Sequence, residues 1–488
     1  MMAVGFYSSR VILEVLGIED YGLYGAIGSI VMMFTMINGV LSVGTSRFLT
    51  YELGKNNSDK LRKTFSASFI LHVILAIILF VLLETVGLWF VNCKMNIPDE
   101  RVFAANIVYQ LSILSSMLSL TQVPYSACII AHEKMNIYAF VGIVEVSFKL
   151  LLILILLYVP FSDNLIAYAA ILAMWSIGVQ IWYRIYCRKH FLESDLQIVR
   201  DKNIYKSMLS YSLWDFFGQF CYVGNSQGIN ILINMFFGLS VNAALSVATQ
   251  VESQLTKFTS NFMTSVNPQI VKSYACCDYS RYFKLIFESA KYSFYLLFFL
   301  SLPIFLECDY ILNLWLVDVP ANSLLFLRFI LIISLFGVME RPIIYGIHAT
   351  GNVKMLNLTN GVFQTVTFLP LIYLLYRLGF PVWYCFIVQS FNIIFRAYFE
   401  IRVLYTQLKF NIKEYLVTVY VRPIGVALLA SIVPVLGVTL MDTSFPRLLL
   451  TCFLSVLSIS CMVYYVGLDK NTRKTIKYYV FSKFARQH

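Results

Sequence analysis

Long apolar runs recur from one end of this 488-residue chain to the other, with only short polar breaks between them. Fourteen can be drawn, at 1–16, 21–50, 65–91, 102–130, 138–159, 164–187, 208–237, 240–271, 283–306, 321–348, 355–376, 381–407, 416–441 and 446–467. A helix needs about 20 apolar residues to cross a bilayer. Backbone groups have no partners in hydrocarbon, so only helices and closed barrels span it. Barrel strands would read as ~10-residue alternating segments, which these runs are not. Hydrophobic residues make up 59% of the chain and charged residues 13%, against roughly 25% charged in a soluble protein. The sequence therefore predicts an all-α polytopic membrane protein with about 14 transmembrane helices. A soluble enzyme and a single-anchor protein are excluded.

The positive charges give the topology. Cytoplasmic loops are enriched in Lys and Arg. With the N-terminus inside, 24 of the 37 Lys and Arg fall in cytoplasmic segments and 4 in outer loops. A one-helix error would scramble this bias, so both termini are expected in the cytoplasm. The count also explains the net charge of +11 and removes nucleic acid as a partner. The longest break, 188–207, is charged and cytoplasmic. It reads as a linker between two pseudo-symmetric six-helix lobes, 1–187 and 208–407. Helices 408–467 and a basic tail, 468–488, follow. Six is even, so any twofold relating the lobes runs along the membrane normal.

With cations at the run ends counted in the loops they border, nine remain deeper in the runs: Arg10, Arg47, Lys149, Lys257, Lys291, Arg328, Arg341, Arg396 and Arg422. The carboxylates there are fewer, chiefly Glu84, Glu145, Asp215, Glu252, Glu340 and Glu400. A charge inside a span costs about 2.5–3.5 kcal/mol on insertion scales and is a functional candidate by default. The cation excess points to an anionic ligand. Each charge also has a plain reading. Glu145 and Lys149 are four apart and can neutralise each other. Arg341, Arg396 and Arg422 lie toward inner helix ends, where long side chains snorkel. Glu340 and Arg341 are adjacent and do not face each other, and Pro342 is expected to break that helix. In 240–271, Gln250, Gln254, Lys257, Asn261 and Ser265 share one face. Asp215, Gln219, Tyr222 and Ser226 do so in 208–237. Such stripes either bind helices together or line a wet cavity. A lone charge is expensive as helix glue, so Lys257 and Asp215 favour the cavity.

Other chemistry is missing. No Walker A or His-Glu-x-x-His motif occurs. The ten Cys read as small apolar fillers, without Cys/His metal spacing, and the five His do not cluster in sequence. Neither a metal nor any other cofactor is expected.

The run Tyr7-Ser-Ser-Arg10-Val-Ile-Leu-Glu14, continuing through Gly17, Asp20-Tyr-Gly22 and Thr45-Ser-Arg47 to Gly54, resembles the opening of Wzx-type lipid-linked oligosaccharide flippases. These belong to the multidrug/oligosaccharidyl-lipid/polysaccharide (MOP) exporter superfamily. Gln227-Gly-Ile-Asn-Ile-Leu-Ile-Asn234 through Gly238, Asn267-Pro-Gln through Ala275, and Ala349-Thr-Gly351 extend the resemblance over nearly the whole chain. It implies a MATE-like fold, with the two lobes flanking a central cavity and the last two helices at one side. It implies a single-chain transporter, not an enzyme, in the bacterial inner membrane. The substrate would be an undecaprenyl-diphosphate-linked glycan repeat, moved by alternating access for surface polysaccharide such as O-antigen. Polysaccharide assembly proteins would be its partners. Related lipid II flippases carry Arg on the first two helices and a cation on the eighth, matching Arg10, Arg47 and Lys257 by element. Gln250, Gln254, Asn261, Lys149, Lys291 and Arg328 complete the candidate substrate contacts. Asp215 and Glu252 are candidates for coupling to a proton or sodium gradient. The family usually has a full span before the Tyr-x-Ser-Arg motif. An upstream stretch of roughly 10–20 residues is therefore expected, since a span needs about 20. The alternatives are an ion-coupled drug antiporter of the same superfamily, which would need a more acidic cavity, and a repeat-unit polymerase, against which the short outer loops weigh.

Overall fold

A computed structural model describes residues 37–469 and 472–474, apart from 94, 96, 160 and 317, together with 11–12, 15–17, 19–20, 22–25, 27–28 and 31. Among these residues the regular structure is entirely helical, with no strand. The helices are α1 Ile37–Gly54, α2 Ser58–Cys93, α3 Val102–Ala131, α4 Met135–Tyr158 and α5 Asn164–His190. They continue with α6 Lys202–Phe237, α7 Leu239–Ala275, α8 Tyr279–Leu306, α9 Cys308–Trp315 and α10 Ser323–Thr350. The last are α11 Lys354–Arg377, α12 Tyr384–Gln407, α13 Ile412–Thr439 and α14 Phe445–Gly467.

Local chemistry sets the boundaries. Asn57 accepts a hydrogen bond from the Lys60 amide at the start of α2, and Asp163 from the Leu165 and Ile166 amides at the start of α5. Such caps satisfy N–H groups that have no helical partner. A single residue, Gly238, joins α6 to α7; its φ of +84° is a conformation that glycine adopts without steric cost. Within α2 the turn Leu83–Gly87 widens to π geometry, and the Tyr109 hydroxyl donates to the Leu83 carbonyl at 2.7 Å. A Cβ on Gly87 would stand 2.1 Å from that hydroxyl, so the contact requires glycine.

Nine of the described helices are long and apolar enough to cross a membrane: α2, α3, α4, α5, α8, α10, α11, α13 and α14. Over their described residues, α6, α7 and α12 are as long but more polar. Large apolar side chains such as Ile77, Phe103, Leu428 and Tyr465 are exposed. That pattern is expected where hydrocarbon is the solvent.

The chain forms two compact units, residues 1–216 and 217–488. In the first, α3 packs against α1, α2 and α5. Its cores include Phe65, Tyr125 and Cys187 in one cluster, and Leu83, Val108 and Tyr109 in another. In the second, α7, α8 and α10 pack on one another, α12 lies on α10, and α13 and α14 pair beside α8. The buried Glu307 carboxylate holds α14 by accepting from Arg447 Nε at 3.0 Å, Arg447 Nη2 at 2.8 Å and Thr451 Oγ1 at 2.8 Å.

Three expectations need correction. Pro342 does not break its helix: α10 runs through it, because a proline forfeits one backbone hydrogen bond and tight packing keeps the turn in place. Arg396 does not snorkel but is drawn inward by two buried carboxylates. The short helix α9 interrupts what read as an outer loop.

Candidate functional site

In the first unit the candidates gather where α1 meets α6. Gly44 opens the contact: a Cβ there would lie 3.2 Å from Ser212 Oγ and 3.3 Å from the Tyr211 ring. One turn on, Arg47 is 8% exposed. Its guanidinium carbon lies 4.7 Å from the Phe48 ring centre, 4.9 Å from Tyr51 and 5.8 Å from Tyr211. Aromatic faces attract cations, and a guanidinium keeps its charge when buried. Asp215 follows Tyr211 by one turn of α6, on the same face, and is 2% exposed. The structure thus brings Arg47 and Asp215 to the same aromatic patch. Arg10 lies outside the described residues. Lys149 is on α4, but its side chain is not described.

In the second unit α7 carries two polar faces. Lys257 Nζ donates to Gln254 Oε1 at 2.9 Å, so this part of the predicted stripe is real. Gln250, Lys257 and Asn261 are exposed. The other face meets α10. Ser334 donates to Glu252 at 3.0 Å, and Arg341 donates to Ser260 at 2.7 Å. Glu252 therefore belongs to the α7–α10 seam rather than to the Lys257 face.

The remaining cations lie apart. Arg328 on α10 sits 5.7 Å from the Phe305 ring. Lys291 on α8 is 1% exposed and lies 3.6 Å from Asp469, just past α14. It is engaged there and does not join Lys257.

One constellation was missed as a unit. Arg396 on α12 donates to Glu340 on α10 at 2.6 Å and lies 3.8 Å from Glu400 on its own helix. Asn360 on α11 donates to Glu400 at 2.9 Å. Both carboxylates are fully buried. The four-residue spacing of Arg396 and Glu400 was the available signal; Glu340 comes from far along the chain.

Among the described residues, Cys128, His132 and Glu193 could hold a metal ion, their ligand atoms lying within 4.8 Å of one another. Cys128 and His132 share one face of helical spacing, and the turn after α5 supplies Glu193. In this structure Glu193 Oε1 accepts from Cys128 Sγ at 3.4 Å and contacts His132 Nε2. Burial works to raise the Glu193 carboxyl, but hydrogen bonds from His132 and the backbone outweigh it and hold it below its ordinary value. Sequence spacing alone cannot reveal this group, because Glu193 is 61 residues from His132.

The comparisons with known proteins follow the same lines. A family model described as polysaccharide biosynthesis protein matches residues 4–273. No curated protein sequence matches the chain. Among solved structures, the P26A mutant of a MATE transporter is 15% identical, with 83% of this chain and 91% of that one covered and a TM-score of 0.68. An outward-facing multidrug resistance MATE family transporter of the MOP superfamily is 14% identical over 82% and 92%, with a TM-score of 0.68. A MOP superfamily transporter from Pyrococcus furiosus, described as having a binding pocket of reverse polarity, is 14% identical over 83% and 93%, with a TM-score of 0.67. These likenesses show that the fold is MATE-like.

Proposed function

The chain belongs to the polysaccharide biosynthesis protein family, and on that premise we propose that it flips undecaprenyl-diphosphate-linked oligosaccharide repeats across the bacterial inner membrane. It is a multi-pass membrane protein whose family and fold relatives are transporters. The observation that carries the finer reading is a cation in the polar region of each unit, buried in the first and exposed in the second. Arg47 lies under three aromatic rings, and Lys257 lies on the polar face of α7. A diphosphate cannot cross ~30 Å of hydrocarbon without partners. Arginine's planar fork suits phosphate oxygens, while lysine supplies a mobile point charge. Gln250, Gln254 and Asn261 extend the Lys257 face with amides suited to sugar hydroxyls. We assign the diphosphate to Arg47 and Lys257, with Arg10 as a third cation.

Transport then needs no covalent chemistry, only alternating exposure of the site to the two leaflets. With no Walker A motif in the sequence, we assign the driving force to an ion gradient or substrate flux, with Asp215 as first candidate for the coupling proton. Glu252, which accepts from Ser334, is the other candidate. The fold suits a drug antiporter equally well; the cationic character of the proposed site is what favours an anionic substrate.

The test is export of surface glycan in cells carrying single variants. Arg47→Ala and Lys257→Ala should each lower it at least tenfold, about 1.4 kcal/mol of lost stabilisation, with normal protein in the membrane. Arg47→Lys should recover part of it. Wild-type export from either Ala variant removes that residue from the site. A deletion strain with normal glycan and new drug sensitivity would establish the antiporter instead.

A further inference from the structure

Lys291 poses a problem of charge. It is 1% exposed, and the carboxylate beside it, Asp469, is half exposed and 3.6 Å away. The same Asp469 lies 3.6 Å from Arg422 on α13. Both distances are long for charge-assisted hydrogen bonds, which run at about 2.7–2.9 Å. Arg473 shares the wall of a cavity of about 430 Å³ with Arg422 and Asp469. Lys291 and Arg422 thus share the Asp469 carboxylate, and Arg473 adds a third cation on the wall of the same cavity as Arg422 and Asp469. Two polar atoms nearby, Arg473 Nε and Tyr295 Oη, are shielded and have no hydrogen-bond partner among the described residues. Tyr295 Oη lies against the end of α14, 2.8 Å from where a Gly467 Cβ would be. Of the three cations Lys291 is the one held away from water, where a charge without close partners is costly and a bound anion would offset it.

The other wall of the cavity is apolar, with Val426, Leu429 and Val466. It leads to exposed apolar side chains: Leu428, Ile432 and Leu436 on α13, and Phe453 and Leu457 on α14. Free phosphate would leave that wall bare. A glycan would find only one carboxylate for its hydroxyls. A phosphate joined to acyl chains uses both halves.

We propose that Arg422, Arg473 and Lys291, at the end of α14, form a binding site for the headgroup of an anionic phospholipid. Its acyl chains run along the α13–α14 surface. By the charge count this end faces the cytoplasm, whose leaflet is the anionic one. Asp469 occupies the cations when the lipid is absent and competes with it. The site stands independently of the flippase reading.

The test is native mass spectrometry of the purified full chain in detergent, titrated with phosphatidylglycerol or phosphatidylcholine. Wild-type protein should prefer phosphatidylglycerol. The double variant Arg422→Ala/Arg473→Ala should bind it about 30-fold more weakly, as expected for two lost interfacial cations. Asp469→Asn should bind it more tightly, an effect that loss of structure would not produce. Equal binding of the two lipids, unchanged affinity in the double variant, or no gain in Asp469→Asn would each overturn the proposal. So would glycerol phosphate competing as well as the intact lipid, because the ligand would then be a free phosphate.

Discussion

At the scale of single residues, charge paired with neighbours decides most of what the chain can do. The intramembrane cations were legible in sequence because a charge stands out in an apolar run. Their partners were not. Lys291 and Lys257 look alike as sequence, yet one faces Asp469 and the other Gln254. Arg396 looked like a snorkelling residue, and only the fold brings Glu340 to it. Glu193 gives a test at this scale. Its carboxyl is held below the ordinary value of 4.5. A depressed carboxyl contributes stability that is fully present above that value and is lost as pH falls through the lower native one. Amide protection across 191–195, followed by hydrogen exchange, should therefore hold near neutral pH and fall below about pH 4.5. Glu193→Gln should show reduced protection at neutral pH and little further loss on acidification. The same acid-side drop in that variant would place the titrating group elsewhere.

At the scale of elements, period and polarity were legible almost throughout. The runs 102–130 and 164–187 became Val102–Ala131 and Asn164–His190. The polar stripe on α7 was also foreseen, since a four-residue period follows directly from helix geometry. What could not be read were departures from a regular helix. The π turn at Leu83–Gly87 depends on Tyr109 reaching it from another helix. The path of α10 through Pro342 depends on packing around it. The attachment of α14 depends on Glu307, 140 residues before Arg447. Removing one partner of a buried ion pair costs about 3–5 kcal/mol, because the other is left uncompensated. Arg447→Ala should therefore lower the thermal unfolding midpoint in detergent clearly. The apolar double replacement Glu307→Leu/Arg447→Met should recover most of the loss. A midpoint unchanged in Arg447→Ala would mean the pair does not hold α14.

At the scale of the whole molecule, the apolar runs dictate a membrane protein and the MATE-like fold bears this out. Sequence also carried the family, through glycine- and arginine-bearing motifs that the family model covers over 4–273. The boundary between the two compact units falls at Phe216–Phe217, inside α6. A helix that belongs to two compact units has no break in composition to mark it. The substrate is likewise written in no motif: its anionic character is inferred from where Arg47 and Lys257 lie. The most direct measurement is the leaflet occupied by lipid-linked glycan repeats in a deletion strain, read by enzymatic labelling of sealed membrane vesicles of defined orientation. The account predicts accumulation on the cytoplasmic leaflet, relieved by the wild-type chain but not by the Arg47→Ala/Lys257→Ala double variant. Accumulation on the outer leaflet, or none at all, would contradict it.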